Sequence, residues 1–219
     1  MDDIVIYGAG GSGREVACTL RCINKVFPTW NFLGFLDDGL PVGTENEYGK
    51  IIGNRSFLDQ YSGKLAVVIA IGNPEVIRKI ADSITSPNIW FPNIIAPDVQ
   101  FADGDNTKIG KGNVIFNNAF LSINTTLGDF NFLGHSCLCG HDSCLGNYNA
   151  LMTGTKICGG VKIGDCNFLG INSVVLQYLT VGSYVKVGAG SVVMRDTEDG
   201  NLYIGNPAIK ARFGGKKNS

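Results

Sequence analysis

At 219 residues and a formal net charge of −1, the chain has room for one large domain or two small ones and no surplus of cations to offer a phosphate backbone. Its lysines are scattered apart from Lys216-Lys217, so nucleic-acid binding is not expected, and no apolar run reaches membrane-spanning length. The seven cysteines are odd in number and five of them, Cys137, Cys139, Cys144, Cys158 and Cys166, follow a six-residue repeat, so they are expected as buried packing thiols, with no metal knuckle.

Met1-Asp2-Asp3 is acidic, unlike the basic start of an export signal, and a cytoplasmic location is expected. Ile4-Val5-Ile6-Tyr7 reads as a short buried strand, followed by Gly8-Ala9-Gly10-Gly11-Ser12-Gly13 and a helix opened by Arg14 and running to about Val26. Asn31 to Leu36 predicts a second strand ending at Asp37-Asp38, and Leu65 to Ile71 a third. Gly72-Asn73-Pro74-Glu75 then starts another helix, with Asn as cap and Pro at the first helical position. Strand-helix-strand units imply a parallel sheet. Asn88 to Val99, with two prolines and no helical period, reads as a connector.

From Ile109 to Val193 an apolar residue returns every sixth position, and only Cys139 among these is not Ile, Leu or Val. The register three residues on, from Gly112 through Tyr148 to Gly190, contains none of the three. Period six fits neither helix nor strand and marks a solenoid whose hexads form flat faces, three to a coil of eighteen residues. Small groups two places before each apolar residue (Ala119, Thr125, Cys137, Ser143, Thr155, Ser173, Ser191) suit a tight corner. Glycines after many apolar positions, such as Gly128, Gly134 and Gly140, are expected to allow turns. Gly205-Asn206-Pro207-Ala208 breaks the hexads and ends the prism, leaving a polar tail at Gly214 to Ser219 that is expected to fray.

These hexads resemble the left-handed β-helix acyltransferases with hexapeptide repeats, and the handedness is implied by that resemblance. The expected fold class is an α/β N-terminal domain with a short parallel, Rossmann-like sheet (residues 1–92), followed by a left-handed parallel β-helix with a C-terminal cap (residues 93–219).

Gly8-x-Gly10-x-x-Gly13 between strand and helix is the dinucleotide fingerprint, in which backbone amides and a helix N-terminus approach a pyrophosphate. A tight turn without ligand is the alternative. Asp37-Asp38 stands where an acceptor for ribose or base hydroxyls is expected. About ninety residues hold one mononucleotide half and not the pair that NAD requires, so a nucleotide-linked sugar fits better. The glycine-turn domain, the Phe35-Leu36-Asp37-Asp38 strand end and the C-terminal prism together look like bacterial nucleotide-sugar acetyltransferases, of the aminodeoxysugar N-acetyltransferase and sialic-acid O-acetyltransferase type. The resemblance implies nucleotide-sugar binding by Gly10, Gly11, Ser12, Asp37 and Asp38.

Only His135 and His141 are present, too few for a three-histidine zinc site, and no metal is expected. His141-Asp142 matches the His-acid pair of the resembling enzymes. A neutral imidazole can take the proton from an amine or hydroxyl attacking a thioester, while Asp142 orients the ring. His135 lacks an adjoining carboxylate. Gly159, one coil on from His141, offers an amide to the oxyanion. The resemblance implies acetyl-CoA along a prism edge, contacting Gly159, Ile171 and Ala189, with Pro207 near the adenine. Relatives with a second histidine nine places after the first would have it at Ala150, and Asn149 is the candidate substitute. A homotrimer with sites between subunits is implied. The activity expected is acetyl transfer to an amino group of a nucleotide-linked aminodeoxysugar in glycan biosynthesis. The alternatives are O-acetylation of a sugar, as in the sialic-acid type, or a non-catalytic trimeric scaffold.

Overall fold

The run Ile4–Tyr7 is at most 3 % exposed, as a strand covered on both faces must be. It belongs to β1 (Asp2–Tyr7), followed by α1 (Gly11–Val26), β2 (Trp30–Leu36), β3 (Glu45–Asn46), β4 (Gly49–Gly53), α2 (Arg55–Gln60), β5 (Leu65–Ile69), α3 (Pro74–Ser83) and β6 (Ile89–Trp90). The computed structural model describes residues 1–211, and the tail from Gly214 to Ser219 lies outside them. The strands form one sheet in the order β3-β4-β2-β1-β5-β6, parallel except for the β3–β4 hairpin. Asn73 caps α3 by accepting from the amides of Glu75 (3.0 Å) and Val76 (3.4 Å). The stretch Asn88–Val99 is more than a connector: Ile89–Trp90 pairs with β5, and Ile94–Ile95 is the first rung of the second unit.

That second unit is a left-handed β-helix of three parallel faces. The first carries Ile94–Ile95, Val114–Ile115, Phe132–Leu133, Ala150–Leu151, Phe168–Leu169, Lys186–Val187 and Leu202–Ile204; the second runs from Gln100–Phe101 to Val192–Val193, and the third from Lys108–Ile109 to Thr180–Val181. Partners lie eighteen residues apart through the body of the prism, as in Phe132↔Ala150. The first coil holds two residues more, Ile94 pairing with Val114, and the last two fewer, Lys186 pairing with Leu202. From Ile115 to Val193, every sixth residue points inward and is 4 % exposed or less.

The register devoid of Ile, Leu and Val sits at the corners. All fourteen residues from Gly112 to Gly190 adopt φ between 54° and 73°, where a β-branched side chain is a steric outlier. The glycines that follow the apolar positions are a correction, because none of them has a positive φ. They are small for the sake of stacking. A Cβ at Gly134, Gly140 or Gly170 would stand 2.6 Å from the backbone nitrogen of Thr153, Gly159 or Ala189 in the next coil.

Inside the prism, Asn113, Asn131, Asn149 and Asn167 form a ladder in which each Oδ1 accepts from the backbone amide one coil on, at 2.7–3.0 Å. The outer side of the first face (Val114, Phe132, Ala150) packs with Ile4, Ile6, Val16 and Leu20, so the α/β unit and the prism share a core. The outer side of the second face presents Phe120, Leu138, Val174 and Val192, all partly exposed. On the third face Lys108, Cys144, Lys162 and Thr180 point outward and are exposed.

Candidate functional site

The turn after β1 is shaped by its glycines. Gly8 holds φ 108°, and a Cβ on Gly13 would collide with the Gly8 carbonyl oxygen, so the first and third glycines let helix and strand meet. Gly10 caps α1 with no side chain, leaving the first amides of the helix facing the space before it. Around Gly10 and Gly11 a Cβ would meet nothing within 4 Å among the described residues. Asp37 and Asp38 lie at the rim, but both are engaged by the protein. Asp37 accepts from the amides of Ala9 (3.0 Å), Gly39 (2.9 Å) and Leu40 (3.1 Å). Asp38 accepts from the Tyr7 hydroxyl (2.5 Å) and the Arg55 amide (3.0 Å), and burial, with the Asp38 carboxylate second, pushes the Tyr7 hydroxyl far up. The pair therefore builds the rim first and keeps only its remaining lone pairs for a ligand.

Two cavities flank the turn. One of about 190 Å³ lies under Leu40, Thr44 and Ile51, on the side of the Asp37 loop. The other, of about 380 Å³, runs between α1 and the prism, bounded by Gly11, Glu15, Cys18, Tyr48, Asn117 and His135. Arg14 borders both and reaches Glu47 at 3.2 Å, while the Arg21 guanidinium lies 4.5 Å over the Tyr48 ring. Sequence reasoning missed this groove and its hairpin wall. Asn46 gives the signal, its side chain accepting from the amides of Tyr48 (2.9 Å) and Gly49 (3.2 Å) to make the β3–β4 turn.

His141 stands at the corner between the second and third faces. Its Nδ1 lies 2.8 Å from Asp142 Oδ2, both side chains being about half exposed (51 % and 55 %). Asn124 Nδ2 donates to the other carboxylate oxygen at 3.0 Å. This bond first, and His141 second, holds the Asp142 carboxyl below its ordinary range. Gly159 lies against the ring: a Cβ there would run into the imidazole, and the Gly160 amide donates to the His141 carbonyl at 2.8 Å. His141, Asp142 and Gly159 thus form one cluster.

Ile171 and Ala189 are elsewhere. They stack above His135 at the corner between the first and second faces, lining an apolar groove of about 380 Å³ with Met152, Phe168 and Leu202. A single prism edge carrying Gly159, Ile171 and Ala189 together is therefore corrected: one whole face separates Gly159 from the other two. Pro207 is exposed beyond the last rung of the second face, next to Ala208, whose amide donates to the Val192 carbonyl. Asn149 is corrected as well. It is 0 % exposed and committed to the ladder, and Ala150 is buried against the α/β unit, so neither reaches a ligand on the surface. Of the cysteines, Cys137, Cys139 and Cys166 are buried, whereas Cys144 is exposed because it occupies an outward position of the third face.

Residues 3–84 match the family described as the PglD N-terminal domain. The acetyltransferase domain of PglB from Neisseria gonorrhoeae FA1090, solved with acetyl coenzyme A, is 26 % identical over 95 % of this chain and 98 % of its own, with a TM-score of 0.85. PerB from Caulobacter crescentus, solved with CoA and GDP-perosamine, is similar in fold: 24 % identity, 97 % and 98 % coverage, TM-score 0.84. Over 84 residues the chain is 34 % identical to the acyl-[acyl-carrier-protein]--UDP-N-acetylglucosamine O-acyltransferase of Pseudomonas entomophila (strain L48), 38 % of this chain and 33 % of that protein. The chain thus spans about a third of the length of the curated relatives it matches.

Proposed function

We propose that this chain is an acetyl-CoA-dependent N-acetyltransferase acting on an amino group of a nucleotide-linked aminodeoxysugar, in the cytoplasm and in the service of glycan biosynthesis. The observation that carries the reading is the exposed His141–Asp142 pair, held at 2.8 Å against a glycine that leaves room for the ring, on a chain similar along nearly its whole length to an acetyl-CoA-bound acetyltransferase domain. The amine nitrogen attacks the thioester carbonyl carbon, and His141 Nε2 takes the proton that the nitrogen sheds. Asp142 fixes the tautomer through Nδ1. The Gly159 amide, for which no partner is found among the described residues, donates to the carbonyl oxygen as it becomes an oxyanion. The C–S bond then breaks, and the thiolate of CoA leaves with the proton from the imidazolium. No covalent enzyme intermediate is needed.

The two halves of this site lie on different corners of one chain. The glycine turn, His135, Ile171 and Ala189 belong to one corner of the second face; His141, Asp142 and Gly159 belong to the other. A homotrimer closed through the partly apolar second faces brings the first corner of one subunit to the second corner of the next. The glycine turn then holds the nucleotide and the apolar groove the pantetheine arm.

The test is release of CoA thiol from acetyl-CoA with a panel of UDP-, GDP-, CDP- and CMP-linked aminosugars, alongside the same sugars with hydroxyl in place of amine. Turnover confined to the amines is the expected result. Turnover of the hydroxyl sugars alone identifies O-acetylation, and none with any sugar leaves the scaffold reading.

A further inference from the structure

We infer that the groove between α1 and the prism takes the hexose of the nucleotide-sugar and that His135 contacts it, an inference that rests on the function proposed above. A diphosphate seated at the glycine turn has two exits, because the turn is flanked by two cavities with Arg14 at the border of both. Only the larger one reaches the prism. The groups fitted to acyl transfer are all on the prism, so the sugar leaves by that exit and the nucleoside by the smaller one, beside Asp37.

His135 is placed for this contact by packing. Its ring lies 4.9 Å from that of Phe116, which is 1 % exposed and anchors one side of the imidazole in the shared core. The His135 side chain is half-buried and lines the cavity. Opposite it stand Glu15 and Glu47, and beside it Asn117, whose Nδ2 is spent on Asp98 (3.0 Å) and whose Oδ1 remains free to accept. Carboxylates, an amide oxygen and an imidazole around one groove suit the hydroxyls and ammonium of an aminohexose. His135 is thus a binding residue for the acceptor, distinct from His141.

Calorimetry with UDP and UDP-linked 4-amino-4,6-dideoxyglucose, and with the GDP pair in parallel, tests this. His135→Ala should weaken the sugar conjugate by roughly tenfold, the worth of one well-placed hydrogen bond, and leave the free diphosphate unchanged. His135→Asn should recover part of the loss. In turnover the acceptor KM should rise while kcat and the KM for acetyl-CoA hold. The conjugate, but not the free diphosphate, should also slow alkylation of Cys18, which lines the same groove. An equal loss for conjugate and diphosphate, no loss at all, equal protection of Cys18, or a fall in kcat at constant KM each overturns the inference. Wild-type protein that binds neither these probes nor the CDP- and CMP-linked aminosugars overturns the proposed function with it, whereas binding that ignores His135 overturns this inference alone.

Discussion

Asp142 has two reasons to be where it is, and they are separable by experiment. It occupies a left-handed corner position, φ 58°, which Asp and Asn tolerate better than most residues, and it orients the His141 ring. Asn at the same position keeps the corner and removes the charge. Turnover of His141→Ala should therefore fall by roughly 10²–10⁴ with acetyl-CoA affinity little altered, and Asp142→Asn should lose less, both proteins melting near the wild type. Near-normal turnover in His141→Ala would show that another group takes the proton. The pH–rate profile should rise through a single ionisation, because the Asp142 carboxyl, lowered by Asn124 and then His141, is ionised throughout the neutral range. Its pairing persists above the ordinary carboxylate range and is lost only in acid, as pH falls through its depressed pKa. Ser143 and Ser173 make the opposite case, for their buried hydroxyls have no hydrogen-bond partner among the described residues. Ser143→Ala removes an unpaired polar group and should leave thermal stability unchanged or raise it by up to about 1 kcal/mol. A clear loss would mean that the hydroxyl is bonded in solution.

The coils show which parts of the fold are legible in a sequence and which are not. Ile115, Leu121 and Leu127 announce the prism because each inner position sees the same apolar axis, so the period survives in the residue types. The corner register was equally visible as a gap in Ile, Leu and Val, yet its meaning, φ near 58°, needed the backbone. Gly134 and Gly140 misled because a glycine looks alike whether it is needed for its dihedral or for the approach of a neighbouring strand. Strands of two residues, such as Ile89–Trp90 or Glu45–Asn46, are too short for any period to show. Asn149 looked like a surface substitute for a missing histidine because the ladder it joins runs between residues eighteen apart, a distance at which local patterns are silent. Asn149→Leu deprives the Asn167 amide and Nδ2 of their acceptor and should cost about 1–3 kcal/mol in urea unfolding. Acetyl-CoA KM, measured on the protein that remains folded, should be unchanged. A specific rise in that KM would restore Asn149 to the site.

The whole molecule divides its functional groups between two corners of one face, and that division makes an assembly prediction. Gly11 lies at the first turn of α1, where a Cβ meets nothing within 4 Å among the described residues, so Gly11→Trp should fold normally and block the acceptor site of its own subunit. His141→Ala removes the base from the opposite corner. If each site joins the turn of one subunit to the His141 of the next, every homotrimer of either variant is inactive at all three sites. Unfolding and refolding the two variants together at equal concentration redistributes the subunits. A site is then intact when its turn comes from a His141→Ala subunit and its histidine from a Gly11→Trp neighbour, each with a chance of about one half, so about a quarter of wild-type turnover should return. Sedimentation should give a trimer for both variants and for the mixture. A site built within one chain predicts a different result, since each subunit would carry one lesion or the other and no mixing could repair it. Recovery of activity therefore identifies a shared site, and its absence from trimers shown to be mixed would place His141 and the glycine turn of the same subunit around one substrate.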